Sequence, residues 1–257
     1  EILGATMNVQ RGPLTRDSLR LYVYQEAQDH ATRLTLLTYL MKSIPGSGII
    51  YCTTTRDCQR VAEWLQAQGI DAHPYYASVE EDGGESRVKL EQRLLNNQMK
   101  ALVASVALGM GFDKPDLSFV VHYQQPGNNI SYYQQIGRAG RNIDEAHIIL
   151  MHGPGDEDIQ RHFIETAFPR AADIDAAIHA LTEQGALKQT ELQRYVNVNK
   201  SALEKILIHL EVEKIIEKRE REYHLLNAQA RPDYERWAQV TRQRYDEMEQ
   251  MRAYINH

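Results

Sequence analysis

The chain has 257 residues with 15 Gly, 8 Pro and 2 Cys, 42% hydrophobic and 25% charged, a globular balance that excludes disordered, collagen-like and disulfide-stapled classes. Lys plus Arg total 29 against 35 Asp plus Glu, a formal charge of −6. Bulk charge therefore repels phosphate, and any nucleic-acid contact must come from a local cluster of donors. The length suits two domains, and no apolar run approaches the roughly 20 residues of a membrane span, so no membrane partner is expected. Cys52 and Cys58 lack zinc-site spacing and matching histidines, which predicts reduced thiols, no metal in this chain and a cytoplasmic location. The chain opens at Glu1 with neither Met nor a leader, which predicts a piece of something longer.

In chain order, Leu21–Tyr24, Gly48–Cys52, Ala72–Tyr76, Ala101–Ser105, Phe119–Tyr123 and Ala146–Met151 read as strands. Ala31–Met41, Arg56–Gln68 and Ser86–Asn96 between them have helical period. Alternating strand and helix predicts a doubly wound α/β lobe over residues 21–168, preceded by a linker over 1–20, with ligands met at the strands' carboxyl ends. After Phe168-Pro169 the pattern changes to helices at Asp173–Gln184, Thr190–Val196 and Lys200–Glu213, then strand-like alternation at Ile215–Leu226. Three helices and a hairpin predict a small winged-helix domain over 169–228. A polar C-terminal helix, Asp233–Tyr254, fills most of 229–257.

The stretch richest in chemistry is Gln134-Gln135-Ile136-Gly137-Arg138-Ala139-Gly140-Arg141. Small residues let the backbone turn tightly while two guanidinium forks, charged at any working pH, project together and suit a polyphosphate. The same eight residues also read as a helix cap with solvated arginines.

Gln-x-x-Gly-Arg-x-Gly-Arg is similar to motif VI of superfamily 2 helicases. Ala101–Asp116, with its Gly109-Met110-Gly111-Phe112-Asp113-Lys114-Pro115 core, resembles motif V of the RecQ family, and Gly48–Thr54 resembles its motif IV. The resemblance covers roughly residues 20–155 and implies the second RecA-like lobe of an ATP-dependent DNA helicase. Such an enzyme unwinds with 3′-to-5′ polarity and serves DNA repair and recombination. Position by position, it implies that Arg141 is the arginine finger, Arg138 its companion, Gln134 the leading motif VI residue, and Asp113, Gly111 and Gly109 the nucleotide-side part of motif V. Ser105 and Thr54 fall where the family holds single-strand phosphates, although both also read as strand-end hydrogen bonding. Thr55 stands where an Arg commonly follows motif IV, which moves Arg56 one place along. Tyr76 and Ser78, Gln124-Gln125 and Asn142-Ile143 also depart from the family pattern, which marks a divergent branch.

The phosphate-cradling Gly-x-x-x-x-Gly-Lys-Ser/Thr loop and the metal-holding acidic box are absent from the chain. The resemblance places both, with ATP and Mg, on an N-terminal RecA-like lobe that is the expected partner, so this chain alone is expected to be inactive. In the second domain, Lys200, Lys205, Lys218 and Arg219 are candidates to meet single-stranded or forked DNA, but interleaved glutamates make a salt-laced solvated face an equal reading. Met251–Tyr254 resembles the helix leading into the family's four-cysteine zinc module, which predicts zinc in the parent protein and none here. The alternatives are a non-catalytic DNA-binding scaffold using the winged helix, and an RNA helicase or remodeller lobe.

Overall fold

The computed structural model describes residues 16–25, 29–108 and 112–256. Among these, the residues up to Glu157 together with those from Gln250 form one unit, and Asp158–Glu249 form a second. No described helix is long and apolar enough to cross a membrane.

The first unit is a six-stranded sheet built from β1 (Leu19–Tyr24), β2 (Gly48–Tyr51), β3 (Ala72–Tyr75), β4 (Ala101–Ala104), β5 (Phe119–His122) and β6 (Ala146–Met151). Every pairing is parallel, in the order β1-β6-β5-β2-β4-β3. The central strands read as unbroken apolar runs because both faces are covered. Ile50 stands opposite Val103 and Val121, and this face packs against Leu34, Leu37, Val61 and Leu65. Those four side chains belong to α1 (His30–Ser43) and α2 (Thr55–Ala67). One residue along, Ile49, Leu102, Val120 and Ile148 face the other way, onto α3 (Arg87–Leu95), α4 (Asn129–Ile136) and Met251 and Ile255. The two-residue period of the strands thus produces the doubly wound parallel α/β layer expected from the sequence. Cys52 and Cys58 are buried free thiols on the α2 side, and burial beside Cys58 pushes the Cys52 thiol up.

The helices start on side-chain caps. Asp29, Thr54, Ser86 and Asn128 each accept a backbone N–H from the first turn of α1 to α4 respectively, a contribution of typically about 1 kcal/mol each. Helix α4 has no counterpart among the periodic stretches of the sequence. It buries only Tyr132 and Ile136, too short a stripe to register as a period. Helix α5 (Asp156–Glu165) follows β6.

The second unit contains α6 (Ala171–Gln184), β7 (Leu187–Lys188), α7 (Gln189–Leu192), α8 (Lys200–Val212), β8 (Ile216–Arg219) and β9 (Glu222–Leu225). Its antiparallel sheet runs β7-β9-β8. The helix expected at Thr190–Val196 is a single turn, α7, because the Gln193 side chain donates to the Val198 carbonyl and closes the chain into a turn. Ile174, Ile178, Leu203, Ile206, Leu210 and Tyr223 form the core, closed by Trp237, whose ring stacks on Phe168 at 4.9 Å. Trp237 lies on α9 (Tyr234–Ile255), whose residues from Gln250 count with the first unit.

Candidate functional site

Helix α4 delivers the arginine turn. Asn128 Oδ1 accepts the Ser131 N–H at 2.7 Å to start it, Tyr132 and Ile136 seat it on the sheet, and Gly137 caps its end. Because α4 runs back against the strand direction, the turn arrives near the amino ends of β5 and β6 rather than at the carboxyl ends where ligand loops were expected. Gly140 donates to the Leu117 carbonyl at 3.1 Å and Asn142 to that of Pro115 at 2.8 Å. The other side of the turn is held by the segment just before β1. Arg16 Nη1 donates to the carbonyls of Gly137 (2.9 Å) and Ala139 (3.2 Å), and Ser18 Oγ to that of Gly140 (2.8 Å). Gly140 has φ +67°, and a Cβ there would meet Ser18 Oγ at 2.7 Å and Leu19 Cδ2 at 2.9 Å, so any other residue is strained and must displace Ser18 or Leu19.

From this turn both guanidinium groups reach the segment that ends motif V. Arg138 is half-buried and donates to the Phe112 carbonyl at 2.9 Å. Burial pushes the nearby Tyr51 phenol up to about 12, and the Arg138 charge acts against that rise. Arg141 is exposed; its Nη1 pairs with Asp113 at 2.8 Å while its Nε donates to the Gly137 carbonyl at 3.3 Å. Gly109 and Gly111 lie outside the described residues. Gln134 is exposed on α4, whereas its neighbour Gln135 turns inward, its Oε1 2.8 Å from Nε2 of fully buried His122. Burial lowers His122 to about 4. The His122 ring lies between Tyr51 and Tyr132, with centroids at 5.5 and 5.0 Å.

Thr54 and Ser105 follow β2 and β4, whose ends Tyr51 and Ala104 are paired, so the sheet brings them to its carboxyl edge. Neither hydroxyl is idle. Thr54 accepts the Asp57 N–H at 3.0 Å and gives its proton to Asp57 Oδ2 at 2.7 Å, and Ser105 Oγ accepts the Ala107 N–H at 3.2 Å. Asp57 is fixed in turn by Gln124, whose Nε2 donates to it at 2.8 Å while Oε1 accepts the Thr53 N–H. Arg56 is exposed on the first turn of α2. The sheet therefore separates these side chains from the arginine turn.

The cationic candidates of the second unit are engaged locally. Lys200 lies 3.9 Å from Glu204, Lys205 donates to the Thr166 carbonyl at 2.5 Å, Lys218 sits over the Tyr223 ring at 5.5 Å, and Arg219 pairs with Glu217. The exposed residues of α8 are Lys200, Ser201, Glu204, Ile208, Glu211 and Val212, a surface of mixed charge and apolar character rather than a basic one. Among the described residues no group of three or more His, Cys, Asp or Glu is arranged to hold a metal ion.

Sequence reasoning missed Arg16, Ser18, Tyr51 and the His122–Gln135 pair. Arg16 precedes the carbonyl it holds by 121 residues, so no local pattern marks it.

Residues 31–143 match the helicase conserved C-terminal domain. The chain is 32% identical over 181 residues to the ATP-dependent DNA helicase RecQ of Synechocystis sp., covering 68% of this chain and 37% of that protein. It is 42% identical over 110 residues to the mouse ATP-dependent DNA helicase Q1, covering 43% of this chain and 16% of that protein. The chain thus spans about a third or less of these relatives' lengths. Among solved structures, a DEAD box protein from Methanococcus jannaschii matches with 24% identity and a TM-score of 0.47, over 58% of this chain and 39% of that one.

Proposed function

We propose, from the premise that the chain belongs to the RecQ family of superfamily 2 helicases and carries its C-terminal helicase domain, that the first unit is the arginine-presenting lobe of an ATP-driven 3′-to-5′ DNA helicase. The observation that carries this reading is the arrangement of Arg138 and Arg141. One guanidinium is anchored on the Phe112 carbonyl, and the other is exposed on a surface carboxylate that a polyphosphate can displace. This donor set fits the phosphates of ATP, since each guanidinium keeps its charge and offers parallel N–H groups to oxygen.

ATP with Mg, held mainly by an N-terminal RecA-like lobe, supplies the transferable phosphoryl group when bound. Arg141 neutralises charge that develops on that group, and Arg138 steadies the lobe contact. Asp113 releases Arg141 as the lobes close. At the carboxyl edge of the sheet, Ser105, Thr54 and Arg56 meet the phosphates of a single strand, with the Thr54 hydroxyl redirecting its donated hydrogen bond from Asp57 to a phosphate oxygen. The second unit is read as a winged helix whose Lys200, Lys205, Lys218 and Arg219 contact forked DNA. Those cations already have local partners, so the contact is weak and steeply salt-dependent.

The test is Arg141→Ala in the polypeptide that joins this chain to its first lobe. ATP binding is retained while turnover falls by about 10³- to 10⁵-fold, and unchanged turnover overturns the assignment. A second reading, a non-catalytic scaffold, draws on the exposed apolar residues Ile208 and Val212 of α8. It predicts that charge reversal at Lys218 and Arg219 leaves fork binding unaltered.

A further inference from the structure

Arg16 lies 121 residues before Gly137 in the chain, yet the carbonyls of Gly137, Ala139 and Gly140 all end on side chains of the short segment Arg16 to Ser18 that precedes β1. A helix C-terminus leaves carbonyls without intrahelical donors, and a cation placed there is favoured. Here the Gly137 carbonyl receives two guanidinium groups, Arg16 at 2.9 Å and Arg141 at 3.3 Å. The rest of the Arg141 fork pairs with Asp113 at 2.8 Å. On the opposite side the turn's N–H groups end on the Leu117 and Pro115 carbonyls. The turn's backbone is held on both sides: the side chains of Arg16 and Ser18 take its carbonyls, and backbone carbonyls take its N–H groups.

We infer that Arg16 and Ser18 are positioning residues that set the direction in which Arg138 and Arg141 leave the turn. The inference rests on the nucleotide role proposed for that pair. Arg16 suits the task because one planar head spans two carbonyls; methionine keeps the stem and removes every donor. Arg16 is exposed and borders an open groove of about 820 Å³ with Leu19, Tyr132, Tyr133 and Tyr254. Replacing its head group therefore opens onto existing space and excavates no core.

The experiment uses Arg16→Met, Arg16→Lys and Ser18→Ala in the polypeptide that includes the first lobe, each alone and combined with Arg141→Ala. Arg16→Met is expected to lower kcat by about 10- to 100-fold with KM for ATP unchanged. Arg16→Lys recovers part of the loss, and Arg16→Met adds none on the Arg141→Ala background. Amide hydrogen exchange gives a readout independent of turnover: Ala139 and Gly140 exchange faster in Arg16→Met while β5 and β6 are unchanged. Full turnover in Arg16→Met, or an equal loss with and without Arg141, overturns the inference. If Arg141→Ala alone leaves turnover intact, the arginine-pair reading falls instead, and unaltered exchange in Arg16→Met then overturns the fastening as well. Ser18→Ala removes one bond and no charge; it carries the same signs of effect and decides the matter if Arg16→Met does not fold.

Discussion

The Arg141 guanidinium lies 2.8 Å from the Asp113 carboxylate, with the two side chains 39% and 57% exposed. Water and salt screen such a pair, which contributes about 0–1 kcal/mol to stability. Asp113→Asn and Arg141→Ala are therefore expected to change the unfolding free energy by less than about 1 kcal/mol, with the difference shrinking at high salt. Urea denaturation at two ionic strengths measures this. A loss of several kcal/mol would make the pair part of the scaffold and not a releasable contact.

Gly140→Ala acts through geometry. The added methyl meets Ser18 Oγ at 2.7 Å on a backbone with φ +67°, and left-handed strain alone costs about 1–2 kcal/mol. With the displaced β1 contact, the expected loss is about 2–3 kcal/mol. A variant as stable as the parent in urea would show that the start of β1 yields freely.

Arg33 and Asp156 form a pair at 2.8 Å with side chains only 4% and 3% exposed, and Asp156 also accepts the Gln125 N–H at 3.2 Å. Removing one member strands a buried charge, so Asp156→Ala is expected to cost about 3–5 kcal/mol. Calorimetry or urea melts read this directly, and a loss below about 1 kcal/mol would contradict the burial of the pair.

His122 sets a pH dependence. Its value in the fold, about 4, lies below the free value of 6.5 because burial disfavours the charged ring. The unfolded chain therefore binds the proton first. Stability on this account is full above about pH 6.5 and declines toward pH 4, by on the order of 2 kcal/mol between pH 7.5 and 5. Urea titrations at both pH values test it against His122→Gln, in which this part of the decline should vanish. An equal decline in that variant assigns the effect to other groups.

Strands β2, β4 and β5 were legible because burial on both sheet faces writes each as a short apolar run, whereas the edge strand β1 is apolar yet exposed from Leu21 to Tyr24, and five of the six runs match the observed strands to within one residue. Ala146–Met151 coincides with β6, whereas Leu21–Tyr24 falls short of β1 by Leu19 and Arg20. Arg20 interrupts the apolar signal there, with its side chain directed to Glu145 and the Asp17 carbonyl. Helix α4 was illegible because two buried residues make no period. At the candidate site, motif spacing located Arg138 and Arg141 but not the groups that hold them, since Arg16 and Ser18 reach the turn only once the sheet has formed. Motif spacing also singled out Gln134, while packing selected Gln135 for the interior.

The strand order carries one further consequence. β1, the earliest strand, lies at the sheet edge and pairs with β6, the latest, joining Leu19 to Ala146. On the ribosome, residues 19–24 must wait for nearly the whole lobe to emerge before they find their neighbour, a late non-local closure that slows assembly. The same event brings Arg16 and Ser18 onto the arginine turn, so a nascent lobe aims its guanidinium pair only when its two extremes have met.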